Sequence, residues 1–164
     1  MLSSLFPRQI DNNYRGHWLA VWILGLVLAG RFAIGINGTV NTRFVAVSAD
    51  GIPLDNYGAG AAETVIALFA LTALLNLVLG FLGIAVLIRW RAMIPFTYLL
   101  LLLQSIAGRI VLYLHPIERS SMSAMQIGSV FLLGLLTLTG IGFVLSLLGR
   151  QPERTSIPTG EESP

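Results

Sequence analysis

From Ala61 to Ile88 the chain reads AAETVIALFALTALLNLVLGFLGIAVLI. After Glu63 no charge appears until Arg89, and the polar side chains are Thr64, Thr72 and Asn76. The hydrocarbon core of a bilayer is about 30 Å thick and needs about 20 apolar residues of helix to cross it. A run of this length is too long for a strand and reads as a membrane-spanning helix. Three further runs of the same kind flank it, at Trp18–Ile36, Ile94–Leu114 and Gln126–Leu148. The composition agrees: 55% of the 164 residues are hydrophobic and 11% are charged, against about a quarter charged in an ordinary soluble domain. The expected fold is all-α, a four-helix transmembrane bundle forming one body over 18–149. A polar segment, 1–17, precedes it. The tail, 150–164, contains Pro152, Pro158, Pro164 and three glutamates; it has little apolar surface to bury and is expected to be disordered.

The first run has no small-residue break of the kind a signal peptidase cuts, so it is read as a retained signal anchor. The chain has no cysteine and no lysine. Disulfides, thiolate metal sites and thiol redox chemistry are thereby excluded. Its two histidines, His17 and His115, fall at opposite membrane faces and cannot share a metal or haem. There is no nucleophile motif and no glycine-rich phosphate loop, so no catalytic or metal-binding residue is assigned. The net charge of +2 gives no argument for nucleic acid.

Four spans put both termini on one side. That side carries Arg8, Arg15, Arg89, Arg91, Arg150 and Arg154, while the other carries Arg43 and Arg119 with Asp50, Asp55, Glu63 and Glu118. Arginine excess marks the cytoplasmic face, which places both termini in the cytoplasm, with a bacterial plasma (inner) membrane as the expected location. The short Arg89–Met93 turn makes the second and third spans antiparallel neighbours. Pro95 suits the first turn of the third span. Between the first two spans, Asn37–Gly60 contains a moderately apolar stretch, Arg43–Ala49. It is read as a short interfacial helix capping the bundle, with a hairpin turning at Asp50–Gly51 as the alternative.

Helices in lipid associate through close contact of small residues. Candidate seams are Thr139, Gly142, Ser146 and Gly149 on the fourth span, Asn76, Gly80 and Gly83 on the second, and Gly25 and Ala29 on the first. Asn76 and Gln104, each near the middle of its span, are intramembrane amides placed to bond each other. Arg31 and Arg109 are the informative residues. By helical rise both sit roughly 6–8 Å toward the outer side of the midplane. An arginine there normally faces the bundle interior or a wet cavity. Two readings stand side by side. In one, each arginine snorkels or bonds helix-end carbonyls. In the other, Arg31, Arg109 and Glu63, with Asn37 and Asn41 at the rim, form an outward-opening ligand site for a carboxylate, phosphate or lipid headgroup. Glu63, Asp50 and Asp55 are the candidate counter-ions, although the Glu63 Cα lies about 13 Å above that of Arg31.

The run Gly30-Arg31-Phe32-Ala33-Ile34-Gly35, the short Phe-containing segment Arg43–Gly51 leading to Gly51-Ile52, and Gly108-Arg109-Ile110 at the end of the third span together resemble the DoxX-like group of small bacterial four-helix membrane proteins, over residues 18–115. That group is similar to quinol-oxidase accessory subunits, so the resemblance implies a fold more than an activity. Three functions are carried forward. The first is a non-enzymatic accessory or scaffold subunit, or a binder of a small amphiphile or anionic group. The second is a membrane enzyme or redox accessory acting on a quinone or lipid-like substrate, with Arg31 and Arg109 holding its polar end and Glu63 moving a proton. The third is a small transporter. No cofactor is assigned beyond the quinone or lipid of the second reading. The expected partners are the lipid bilayer and other membrane subunits.

Overall fold

A computed structural model of the chain describes Asn12, Tyr14 and residues 16–116 and 122–148, with side chains from residue 129 onward in the last segment. The expectations for the rest of the N-terminal segment, for the tail, and for Gly149, Glu118 and the arginines at 8, 15, 119, 150 and 154 lie outside the described residues. Among the described residues there are five helices: α1 (Trp18–Val40), α2 (Thr42–Ser48), α3 (Ala59–Arg89), α4 (Ile94–Leu114) and α5 (Met122–Leu147). Short 3-10 turns occupy Leu54–Asn56 and Arg91–Met93. Among the described residues there is no strand. Four of the helices are long and apolar enough to cross a membrane. The chain is therefore a small integral membrane protein, an all-α bundle whose exposed apolar residues face lipid.

His17 starts α1: its backbone is extended, and its Nδ1 accepts from the Leu19 N–H at 3.3 Å. That bond satisfies one of the N–H groups a helix start leaves open. α1 runs past the expected Ile36 to Val40. Asn37-Gly38-Thr39 continues the helix, with Gly38 packed against Ala73 of α3.

α2 is a helix and not a hairpin. It ends in a reversal in which the Ile52 N–H reaches the Ala46 carbonyl at 3.0 Å and the Asp50 N–H reaches Val45 at 3.2 Å. Between them Gly51 takes φ 67°, the one positive φ among the described residues. A glycine just beyond a helix end in this conformation lets the last carbonyls be bonded without a Cβ clash. Ala46, Ile52, Leu54 and Ala62 form a small core there, flanked by Tyr57, Val65, Ile66 and Phe69. This cap covers one end of the bundle. The α3–α4 turn, with Trp90 and with Pro95 in the first turn of α4, lies at the other. The two are called the capped end and the turn end below.

α1 is the central helix. It packs most extensively on α3 and next on α5, while α4 packs mainly on α5. α3 and α4 are antiparallel across their short turn, yet they touch only sparingly. The reason is where the small residues lie. Gly80 and Gly83 of α3 meet Phe32 and Leu28 of α1, and Phe32 stands edge-on to Phe81 at 5.0 Å. Gly142 of α5 receives the Tyr98 ring of α4, whose hydroxyl donates to the Ala20 carbonyl at 2.7 Å. Thr139 and Ser146 are buried on the same α5 face as Gly142, which realises that seam. The α1 seam is different from the one expected. Ala29 is exposed and nothing approaches the Cβ side of Gly25. Gly35 and Gly38 make the contact instead, against Leu77 and Ala73.

The main core comprises Ala20, Leu24, Val27, Leu28, Val86, Ile94, Tyr98 and Leu101. It fills the turn-end half. All buried residues of α4 fall between Ile94 and Leu101, so α4 leaves the packed interior about halfway along.

Candidate functional site

Where that packing stops, Arg31 crosses the bundle. It is 4% exposed. In a helix the Cα–Cβ bond leans toward the N-terminus, which for α1 is the turn end. The guanidinium therefore lies closer to mid-bundle than its Cα. α1 spans residues 18 to 40, so its central residue is Ala29, and Arg31 is two residues beyond, about 3 Å of rise. The partners agree with that depth: Gln104 is the central residue of α4 (94 to 114), and Asn76 is two past the centre of α3 (59 to 89). The cluster thus sits nearer the middle than the 6–8 Å offset expected from the sequence.

Its hydrogen bonds are specific. Nη1 donates to Asn76 Oδ1 at 3.1 Å and to Gln104 Oε1. Nη2 donates to the Leu101 carbonyl at 3.1 Å and to Ser105 Oγ at 2.6 Å. Gln104 Nε2 faces Asn76 Oδ1 at 3.5 Å, and Ser105 in turn donates to the Leu101 carbonyl at 2.8 Å. A guanidinium has five N–H donors. Four are used here, all on neutral acceptors, and the fifth, on Nε, is buried without a partner. With both terminal nitrogens occupied, a forked two-bond contact with an external carboxylate or phosphate is not open to Arg31 in this state. Nε keeps one donor unused, enclosed within the bundle.

The other candidates lie elsewhere. Arg109 is exposed on α4, and Glu63 is exposed in the first turns of α3. Asn37 and Asn41, also exposed, bond each other at 2.9 Å. None of the four is hydrogen-bonded to Arg31 among the described residues. The expected amide pair Asn76 and Gln104 is brought together, with Arg31 between α3 and α4 as its main ligand. Ser105 was not singled out in the sequence. Its signal was its place beside Gln104 in an otherwise apolar stretch, one turn after Leu101. His17 and His115 stand at opposite ends of the bundle, and among the described residues no group of His, Asp and Glu could hold a metal.

What the cluster can do follows from its chemistry. It fastens α1 to α3 and α4 at mid-depth through charge-assisted bonds, which are stronger than neutral ones. No protein-family model matches the chain, and neither a curated protein nor a solved structure is significantly similar to it.

Proposed function

We propose that this membrane protein is a non-enzymatic accessory or scaffold subunit, with Arg31 as an internal clamp that fixes the arrangement of α1, α3 and α4. One observation carries the reading: four of the five Arg31 donors are used on the chain's own neutral acceptors. A residue so engaged holds helices together, and catalysis needs groups aimed at a reacting atom. The DoxX-like resemblance agrees with an accessory role. In this reading the turn end, with Arg89 and Arg91, faces the cytoplasm of a bacterial inner membrane, and the capped end, with Asp50, Asp55 and Glu63, faces outward. Native mass spectrometry of the chain extracted from its own membranes in lipid discs tests the proposal. A second membrane subunit in fixed stoichiometry is expected. A spectrum containing only this chain and lipid refutes it.

A second reading has its own support. The unpartnered Nε of Arg31 lies in a cluster whose Asn76, Gln104 and Ser105 are half-buried, between two helices that touch sparingly. A lipid-like molecule with a carbonyl head, such as a quinone, fits one remaining donor better than a forked anion does. The same spectra test it: a small-molecule adduct that disappears in Arg31→Met supports a binder, and an adduct that persists refutes it.

A further inference from the structure

We propose that the capped-end half of α4 is the docking face for a transmembrane helix of a partner subunit that carries a carboxylate opposite Arg109. The proposal rests on the accessory-subunit reading for the existence of a partner and adds where and how that partner binds.

Every residue from Ile106 to Pro116 is exposed. On this stretch Ile106, Arg109, Ile110 and Tyr113 recur at the spacing of one helical face, and Tyr113 is 86% exposed. Among the described residues none is hydrogen-bonded or ion-paired to Arg109. Nothing lies within 4 Å of where a Cβ on Gly108 would be, so another helix can approach closely beside the arginine.

The depth of Arg109 argues against lipid as its counter-charge. It lies five residues beyond Gln104, about 7.5 Å from mid-bundle, which leaves its Cα about 7.5 Å short of the hydrocarbon edge. α4 runs toward the capped end, so its Cα–Cβ bonds lean back toward the bilayer middle. The side chain therefore sets out in the wrong direction for snorkelling to a phosphate.

A second copy fits poorly as well. Asn76 and Gln104 share one level because both bond Arg31. Glu63 lies thirteen residues from Asn76 toward the capped end, about 19.5 Å of rise, against about 7.5 Å from Gln104 to Arg109. A copy in the same orientation leaves Glu63 about 12 Å too far along the bundle normal. The planar fork of arginine matches a carboxylate in two parallel bonds. An aspartate or glutamate within an apolar partner helix supplies it at the right depth.

Photo-crosslinking in native membranes tests this, using the full chain with a benzophenone amino acid in place of Tyr113, or of Val78 on the lipid-exposed face of α3. The Tyr113 position is expected to give an adduct with a different membrane protein, whose cross-linked apolar segment contains an acidic residue. Arg109→Leu is expected to lower that yield about tenfold or more, as loss of a charge-assisted bond implies. Arg109→Glu paired with acid-to-arginine reversal in the partner is expected to restore it. Arg109 is exposed, so these variants should fold; unchanged thermal unfolding checks that. An adduct of twice the chain's own mass, adducts with lipid alone, or a yield indifferent to Arg109→Leu overturns the proposal. So does an equal loss on Glu118→Gln, because the counter-charge would then belong to this chain. A protein adduct at the Val78 position and none at Tyr113 overturns this docking face and leaves the accessory reading standing. No protein adduct at either position also overturns this docking face, and the native mass spectrum decides separately whether the accessory reading falls with it.

Discussion

Replacing Arg31 by Met and Gln104 by Leu, singly and together, probes the clamp through an asymmetry that simple contact counting would miss. Arg31 makes four bonds to other helices, one to α3 and three to α4. Interhelical bonds in membranes average about 0.6 kcal/mol, with a maximum near 1.7, so the set contributes about 2–4 kcal/mol. Placing an arginine at this depth costs about 2.5–3.5 kcal/mol. The two terms nearly cancel. Arg31→Met, which keeps the stem and drops the charge, should change stability by no more than about 1 kcal/mol. After that change Asn76 and Gln104 still face each other, and Ser105 still bonds Leu101. Gln104→Leu does the opposite, since it keeps the buried cation and removes one of its acceptors. It should cost about 1.5–3 kcal/mol. The double variant should then be more stable than Gln104→Leu alone. Equilibrium unfolding in mixed micelles, or steric trapping in bicelles, measures all three differences. The reasoning is refuted if Arg31→Met is the more damaging single change, or if the two changes add.

Three other outcomes follow from the packing. Gly142→Ala should cost about 1–3 kcal/mol by overpacking, because a Cβ there meets the Tyr98 ring; Gly25→Ala, with open space around it, should be neutral or slightly stabilising in the same unfolding assay. Tyr98→Phe removes the bond to the Ala20 carbonyl and should cost about 0.5–1.5 kcal/mol, read as a lower midpoint of thermal unfolding. Burial holds the Tyr14 phenol un-ionised to about 12 against an ordinary value of 10.0. The unfolded chain then loses that proton first, so stability is intact below about pH 10 and declines as pH rises toward 12. Tyr14→Phe should remove that share of the decline, and at neutral pH it should cost little, since the hydroxyl has no partner.

The spans were legible because lipid leaves one strong signal, apolar length, and the structure places its helices within a few residues of the runs read from the sequence. The α3 and α5 seams were legible too, because small residues at steps of three and four have few other uses inside a membrane. The α1 contact was not, because Gly25 and Gly35 look alike in sequence although they lie about 80° apart around the helix, and only the structure shows which of the two faces α3. The Arg31 cluster was half legible. Asn76 and Gln104 announced themselves as amides in apolar runs, but their pairing with Arg31 depended on how far its side chain reaches back along α1. Sequence depth, counted at Cα atoms, put Arg31 beside Arg109. The structure separates them around the bundle: Arg31 is buried against α3 and α4, and Arg109 is exposed on α4.

The central place of α1 bears on how the protein is made. This helix is synthesised before α3 and α4, and it enters the bilayer with a guanidinium whose acceptors on those two helices do not yet exist. Its leucines and isoleucines, each worth about 0.3–0.6 kcal/mol toward insertion, offset the arginine enough for it to lodge there. Its acceptors arrive in sequence order, Asn76 with α3 and then the Leu101 carbonyl, Gln104 and Ser105 with α4. Until α4 has been threaded into the membrane, three of the four bonds do not exist. The arginine is thus translated well before most of the groups that hold it.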